Sequence, residues 1–502
     1  MQPCFKPEIK PVAAVILAAG KGTRMRSKLP KVLHKVCGRP LLTYVLEAVK
    51  RAGAERIVVV AGFGAEQVVP VAKVYGEVVY QEQQLGTAHA LLQAEKVLAG
   101  LAGDILVLGG DTPLITSTTL VKLIKTHQSQ LPVTNSQEGI CFLPTSHLPP
   151  PTFKTAATVL TAKMLEPAGY GRVIRNSAQQ MVKIVEQKDA SPAELAVQEI
   201  NSGIYCFMAE GLFKTLASLA AENAAQEYYL PDVIETYVRQ GLPVATCLVE
   251  NEKEIQGIND RCQLAAVEEI VRQRVRNEIM LSGVTILDPV TTFIDLEVEI
   301  EPDTVIYPFT IIEGVCRIGA NCIIGPGTRL KSVQIGDNVV ISNSVVMEST
   351  IGDSCTIGPF AYLRPGTRLA RKVKVGDFVE VKQSVIEEGS KIPHLSYVGD
   401  THIGQEVNVG AGTITCNYDG QKKWLTVIED KVFIGSNTNL VAPVRIGAGA
   451  FIGAGSTITK NVPPAALGVA RGGQRNIPNW TKKKKQIKEE NISQSEKRST
   501  HL

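Results

Sequence analysis

The stretch Arg317-Ile318-Gly319-Ala320-Asn321-Cys322-Ile323-Ile324-Gly325 states a six-residue phrase twice: an aliphatic residue, a glycine, then four variable positions. The phrase returns at Ile335-Gly336, Ile351-Gly352, Ile357-Gly358, Ile403-Gly404, Val409-Gly410, Ile434-Gly435, Ile446-Gly447 and Ile452-Gly453. A period of six fits neither the helical nor the strand repeat. It fits a left-handed parallel β-helix, in which each unit makes one short side of a coil. The aliphatic residue is expected to point into the core and stack on its counterpart one coil away. Glycine and small residues are expected to turn the corners. The carboxy-terminal half is therefore read as a stiff prism whose chemistry sits on its walls.

Upstream the pattern changes. Apolar runs at Pro11–Leu17, Ile57–Val60, Ile105–Leu108 and Ala156–Leu160 read as strands, and Leu41–Arg51 and Thr87–Leu98 read as helices. This alternation predicts an α/β domain, a Rossmann-like parallel sheet with helices on both faces, over residues 1–260. Gln130–Lys154, with Pro149-Pro150-Pro151, breaks the pattern and reads as a surface insertion. Residues 261–283 read as a helical linker with Leu264, Val267, Val271 and Val275 on one face. The β-helix takes 284–480, with a projecting loop at Asn417–Trp424. Residues 481–502 read as a basic disordered tail.

That tail carries the whole net charge of +4. Its run Lys482-Lys483-Lys484-Lys485 invites a nucleic-acid or membrane reading, but a solvated tail is the simpler one. Neither a nucleic-acid nor a membrane partner is therefore expected. The ten cysteines form no CxxC pair and no metal spacing, which suits reduced thiols in a cytoplasmic protein. No apolar run is long enough for a membrane span.

Leu17-Ala18-Ala19-Gly20-Lys21-Gly22-Thr23-Arg24-Met25 follows the first strand. Two glycines flanked by basic residues let backbone N–H groups approach phosphates, although a plain strand-to-helix turn has the same look. Leu29-Pro30-Lys31, Gln81…Gln84-Leu85-Gly86-Thr87 and Gly110-Asp111 sharpen the reading. An Asp just beyond a parallel strand lies where open α/β sheets bind ligands, and its carboxylate suits Mg²⁺. Its plainer role is a turn residue before Pro113. These motifs resemble the sugar-1-phosphate nucleotidyltransferases. From about Val12 to Arg471 the chain is similar to the bifunctional N-acetylglucosamine-1-phosphate uridyltransferase/glucosamine-1-phosphate acetyltransferases. The resemblance implies that Leu17, Ala18, Ala19 and Gly20 cradle the uridine and phosphates of UTP, with Lys31 countering phosphate charge. It implies uracil contacts at Gln81, Gly86 and Thr87, and Mg²⁺ on Asp111 and Asn259. Gly171, Glu186 and Asn201 would meet the acetylated sugar. One departure is Gly109, where an aromatic residue is often found in this family.

In the repeats, His394-Leu395-Ser396-Tyr397-Val398-Gly399-Asp400 and Cys416-Asn417-Tyr418-Asp419-Gly420 break the rhythm with polar and aromatic residues. A β-helix core has no use for them, so they are expected to face a ligand. His394 alone would read as a surface histidine; within this run it reads as facing a ligand, and the resemblance implies amine attack on the acetyl-CoA thioester, for which His394 suits the general base. The resemblance implies sugar-phosphate contacts at Arg364, Lys382, Tyr397 and Asn408. It implies acetyl-CoA contacts at Ala411, Asn417, Tyr418, Ser436, Ala454 and Arg471. Arg364 and Lys382 also make sense as solvated wall residues. Cys416 is read as a small buried residue, not an acyl carrier. A homotrimer, with each acetyl site at a subunit seam, is likewise implied by the resemblance.

The expected activity is acetyl transfer to glucosamine-1-phosphate, then uridylyl transfer from UTP to make UDP-N-acetylglucosamine, a precursor of cell-wall polysaccharide. Two rivals stay open from sequence: a nucleotidyltransferase whose β-helix only oligomerises or regulates, and a non-enzymatic scaffold. The cluster of His394, Tyr397, Asn408, Asn417 and Tyr418 speaks against the first. Joint retention of Lys31, Asp111, Asn259 and His394 speaks against the second.

Overall fold

A computed structural model describes residues 11–129, 131–132, 152–221, 223 and 225–499. Two compact units divide the chain near residue 279, with 294–297 counted in the first.

The first unit is built on strands β1 (Val12–Ala18), β2 (Arg56–Ala61), β3 (Glu77–Tyr80), β4 (Asp104–Gly109), β5 (Ala157–Lys163), β6 (Arg172–Arg175), β7 (Met181–Val185), β8 (Glu199–Met208) and β9 (Val244–Leu248). Their order is β7-β6-β8-β4-β1-β2-β3, with β5 between β8 and β9. The block β4-β1-β2-β3 is parallel. β8 enters antiparallel beside β4, so the sheet is mixed where the sequence pattern predicted a parallel one. Val15, Ile16, Val58, Val59, Leu106 and Val107 are fully buried because helices cover both faces. Leu41–Arg51 is helical as read, whereas Thr87–Leu98 is two short helices broken at Gln93 and Ala94. Most of the insertion read at 130–154 lies outside the described residues. Its two ends, Leu131–Pro132 and Thr152–Phe153, pair antiparallel.

A long helix, Arg261–Leu281, buries Val267, Val271, Val275 and Ile279 at fourfold spacing.

The second unit is the left-handed β-helix. Three parallel sheets of 11, 10 and 9 short strands form its walls. Ile306, Ile324, Ile341, Ile357, Val375 and Ile392 stack in register up one wall, each at 0% exposure. The glycines act differently from the expectation. Of the ten that follow the aliphatic residues, only Gly325 and Gly358 have positive φ. Most of the others are needed because coils approach closely. A Cβ at Gly336 would lie 2.1 Å from Asp353 Oδ1, and one at Gly435 2.5 Å from the Ala454 nitrogen. Left-handed corners fall mostly to other residues, among them Asn321, Asn338 and Asn437.

The expected disordered tail is instead a helix, Trp480–Ser499, exposed at every described side chain from 480 to 492. Lys and Glu are good helix formers, so local propensity accounts for it without a packed face. Among the described residues no helix is long and apolar enough to cross a membrane.

Candidate active sites

β1 ends at Ala18 and the chain turns through Gly20 and Gly22 before a single 3-10 turn at Thr23–Met25. Gly22 is left-handed (φ +57°), and a Cβ there would sit 2.7 Å from Lys31 Cβ. Only glycine permits that approach. The Lys31 ammonium pairs with Asp111 Oδ2, and it donates to Asn259 Oδ1 at 3.3 Å. Arg24 Nη2 donates to the same amide oxygen at 3.0 Å. Asp111 lies just past β4, at the carboxyl end of the parallel block, and its carbonyl accepts the Ile258 N–H at 3.0 Å, which draws Asn259 in.

Leu17, Ala18, Ala19, Gly20, Lys31, Gln81, Gly86, Thr87 and Asp111 line one cavity of about 730 Å³. Gln81 is buried; its Nε2 donates to the Gly86 carbonyl at 3.1 Å and lies 2.9 Å from His89 Nδ1. A Cβ at Gly86 would meet the Tyr228 carbonyl oxygen at 2.5 Å. Leu230 N–H donates to Thr87 Oγ1 at 3.0 Å, so this loop is pinned at both ends. Gly171, Glu186 and Asn201 lie beside the cavity: Asn201 N–H donates to the Gly171 carbonyl at 2.9 Å, and their neighbours Tyr170, Ser202 and Gly203 are in the lining. At Gly109 a Cβ would lie 2.5 Å from Asp111 Oδ1. The bare position is thus where the Asp111 carboxylate sits. Sequence reasoning left Arg24 and Tyr170 without roles, because only the fold brings them to Asn259 and Asp111.

Burial lifts the Glu186 carboxyl above its ordinary range, with Asp189 and Asp232 adding to it. Asp232 itself is pushed up to about 6, by burial first and then by Glu235 and Asp189. Its folded pKa exceeds its unfolded one, so its ionisation costs stability. That cost is absent below pH ~4, grows through the folded pKa and is complete above it. Asp232→Asn should therefore raise the thermal midpoint at pH 8 and not at pH 4. The expected gain is about 1–2 kcal/mol, discounted for partial solvation and for the favourable helix N-terminus at Pro231. Equal shifts at both pH values, read by differential scanning, would refute the assignment.

On the prism, expected residues fall on two neighbouring edges. His394 closes the wall strand Lys391–His394, and the edge beyond it carries Ala411, Ser436, Ala454 and Arg471 on successive coils. Asn437 N–H donates to the Ala411 carbonyl at 2.7 Å, Gly455 N–H to Ser436 at 2.8 Å and Arg471 Nη1 to Ala454 at 2.7 Å. The next edge gathers Arg364, Lys382 and Asn417. Lys382 Nζ donates to Asp400 Oδ2 at 3.1 Å, Asn417 Nδ2 donates to the same carboxylate, and Arg364 Nη1 donates to Glu380 at 2.8 Å. Tyr397 opens the wall strand between the edges, its hydroxyl 3.4 Å from Asn417 Nδ2. Asn408 opens a strand of the wall that carries His394, paired with Lys391 and Phe433.

The loop read at Asn417–Trp424 is folded on itself. Asp419 accepts from the Gln421 and Lys422 N–H groups at 2.8 Å, and these with the Trp424 indole hold its carboxyl down at about 2. The loop carries Lys423, which sequence reasoning missed. The like charge of Lys382 drives its pKa down, and that of Arg364 adds to it. Two crowded ammonium groups beside Arg364 form a place for an anion.

The two units define a class: a nucleotide-binding α/β transferase and a hexapeptide-repeat acyltransferase on one chain. The first matches the MobA-like NTP transferase domain over residues 14–229. The second matches the bacterial transferase hexapeptide model over 297–332 and 425–460. The bifunctional protein GlmU of Pelotomaculum thermopropionicum is 58% identical over 95% of this chain and 99% of its own. Those of Syntrophomonas wolfei and Desulfitobacterium hafniense strain Y51 are 53% and 48% identical over 93% and 94% of this chain, and 99% of each relative. The chain belongs to the GlmU family. It is a bifunctional enzyme that transfers acetyl to glucosamine-1-phosphate and uridylyl to N-acetylglucosamine-1-phosphate.

Proposed function

We propose that each half-reaction is carried by the residues gathered above, that Mg²⁺ assists the first unit, and that the enzyme works as a cytoplasmic homotrimer. The observation that carries the metal reading is the convergence of Asp111 and Asn259 oxygens on one cation, the Lys31 ammonium. Two hard oxygens with room for substrate phosphates suit Mg²⁺, which needs few protein ligands. Bound there, Mg²⁺ would neutralise charge on the transferring phosphoryl group. The residues themselves hold UTP on the Leu17–Gly20 turn and the Gln81–Thr87 loop, and the sugar beside Gly171, Glu186 and Asn201. Lys31 and Arg24 then counter the phosphates, so that the sugar phosphate oxygen attacks the α-phosphorus in line and pyrophosphate leaves.

In the second unit Arg364, Lys382, Tyr397 and Asn408 hold the sugar phosphate. Ala411, Asn417, Tyr418, Ser436, Ala454 and Arg471 hold acetyl-CoA, and His394 accepts the amine proton. Burial pushes the Cys416 thiol up, away from thiolate, which supports direct transfer over an acyl-cysteine. The split of these residues over two edges, with Phe360, Phe378 and Leu395 exposed along one of them, supports a site completed by a second copy. The test is chelation with a paired assay. EDTA should stop pyrophosphate release from UTP and leave thiol release from acetyl-CoA intact, and sedimentation should return three times the chain mass. Metal-independent pyrophosphate release or an active monomer would overturn the respective part.

A further inference from the structure

Asp377 closes the wall strand Lys374–Asp377, and the parallel register sets it opposite His394 on the next coil. Its Oδ1 lies 2.5 Å from His394 Nδ1. Its backbone carbonyl accepts the Leu395 N–H at 2.9 Å, so side chain and main chain hold the same corner. Among the described residues the imidazole has no other hydrogen-bonded partner. His394 carries His394-to-Asp377 contact while 56% exposed, and Asp377 is 36% exposed. An ion pair this open to water adds little stability, so packing gives no reason for it.

A carboxylate can only accept. The Asp377 carboxyl is held below its usual range by its hydrogen bond with His394, so it stays ionised near neutral pH. The neutral ring must then carry its proton on Nδ1 and leave the lone pair on Nε2. We propose that Asp377 is a positioning residue for acetyl transfer, fixing His394 as the Nδ1–H tautomer with Nε2 turned to the acceptor amine. The inference rests on His394 being the base. In the step it serves, the neutral amine forms a C–N bond to the thioester carbon and Nε2 takes the amine proton. The C–S bond then breaks, and the imidazolium returns that proton to the leaving thiolate. The charge of Asp377 steadies the imidazolium between those two moments.

The experiment compares full-length Asp377→Leu, Asp377→Asn and His394→Ala. Asp377→Leu should lower kcat for acetyl transfer roughly 10- to 100-fold with KM for glucosamine-1-phosphate unchanged. Asp377→Asn, whose amide oxygen accepts the same proton, should recover most of that loss. Nitrogen shifts of ¹⁵N-histidine-labelled protein should report the Nδ1–H form in wild type and Asp377→Asn, and a mixture in Asp377→Leu. An unchanged kcat in Asp377→Leu beside an inactive His394→Ala would overturn this inference alone. An active His394→Ala would overturn it together with the reading of His394 as base. A kcat loss that Asn does not rescue, or one matched by a falling thermal midpoint, would make the contact merely structural.

Discussion

His394→Ala should cut acetyl transfer by about 10²–10⁴-fold, the usual worth of a positioned general base, and leave uridylyl transfer at the wild-type rate. The imidazole is the exposed group on the polar edge whose one hydrogen bond leaves a nitrogen open for chemistry. The other residues expected on that edge, Ala411, Ser436, Ala454 and Arg471, carry no imidazole that could take its place. Because the ring is more than half exposed, truncation leaves no cavity and the thermal midpoint should barely move. Steady-state thiol release and pyrophosphate release, measured on one preparation, check this directly. Retention of more than a tenth of the acetyl-transfer rate would remove His394 from the role of base.

The second large effect is expected at the other site. Asp111→Ala should lower uridylyl transfer by at least about 10³-fold while acetyl transfer continues. Two losses combine. An oxygen that suits Mg²⁺ disappears, and the Lys31 ammonium loses the carboxylate that pairs with it beside the nucleotide cavity. Asp111→Asn separates them, since it keeps the shape and one acceptor oxygen but not the charge. It should recover little, because Mg²⁺ bound by few protein ligands depends on the charge of each. Titrating Mg²⁺ against pyrophosphate release should then show a higher metal requirement in Asp111→Asn. An Asp111→Ala enzyme with near-normal pyrophosphate release would mean that the metal lies elsewhere.

Much of the architecture was legible because periodicity is a direct image of packing. Ile434 and Ile452 recur three hexapeptides apart because each must meet its counterpart on the next coil. Leu41–Arg51 showed its helix for a related reason, an apolar face repeating at the helical period. The antiparallel entry of β8 was not legible, since strand direction depends on a partner remote in sequence and not on composition. The tail helix was missed because a charge run was read for solvation alone, without weighing its helix propensity.

The same division holds for the sites. The sequence by itself determined the residue types that chemistry demands: glycines ahead of Lys31, an Asp after an apolar strand, and a His–Tyr–Asn–Tyr cluster amid hexapeptides. Only the tertiary structure decided who meets whom. Lys31, Asp111 and Asn259 span more than two hundred positions yet share one cation, and Asp377 meets His394 only because one coil brings them level. It also decided why the repeat glycines are there, close coil-to-coil contact at Gly336 and Gly435 in place of turning. The physical reason is one of range. Burial and turn preference act on neighbours in the chain and leave a periodic trace, whereas hydrogen bonds and charge pairs act across a few ångströms of space and leave none.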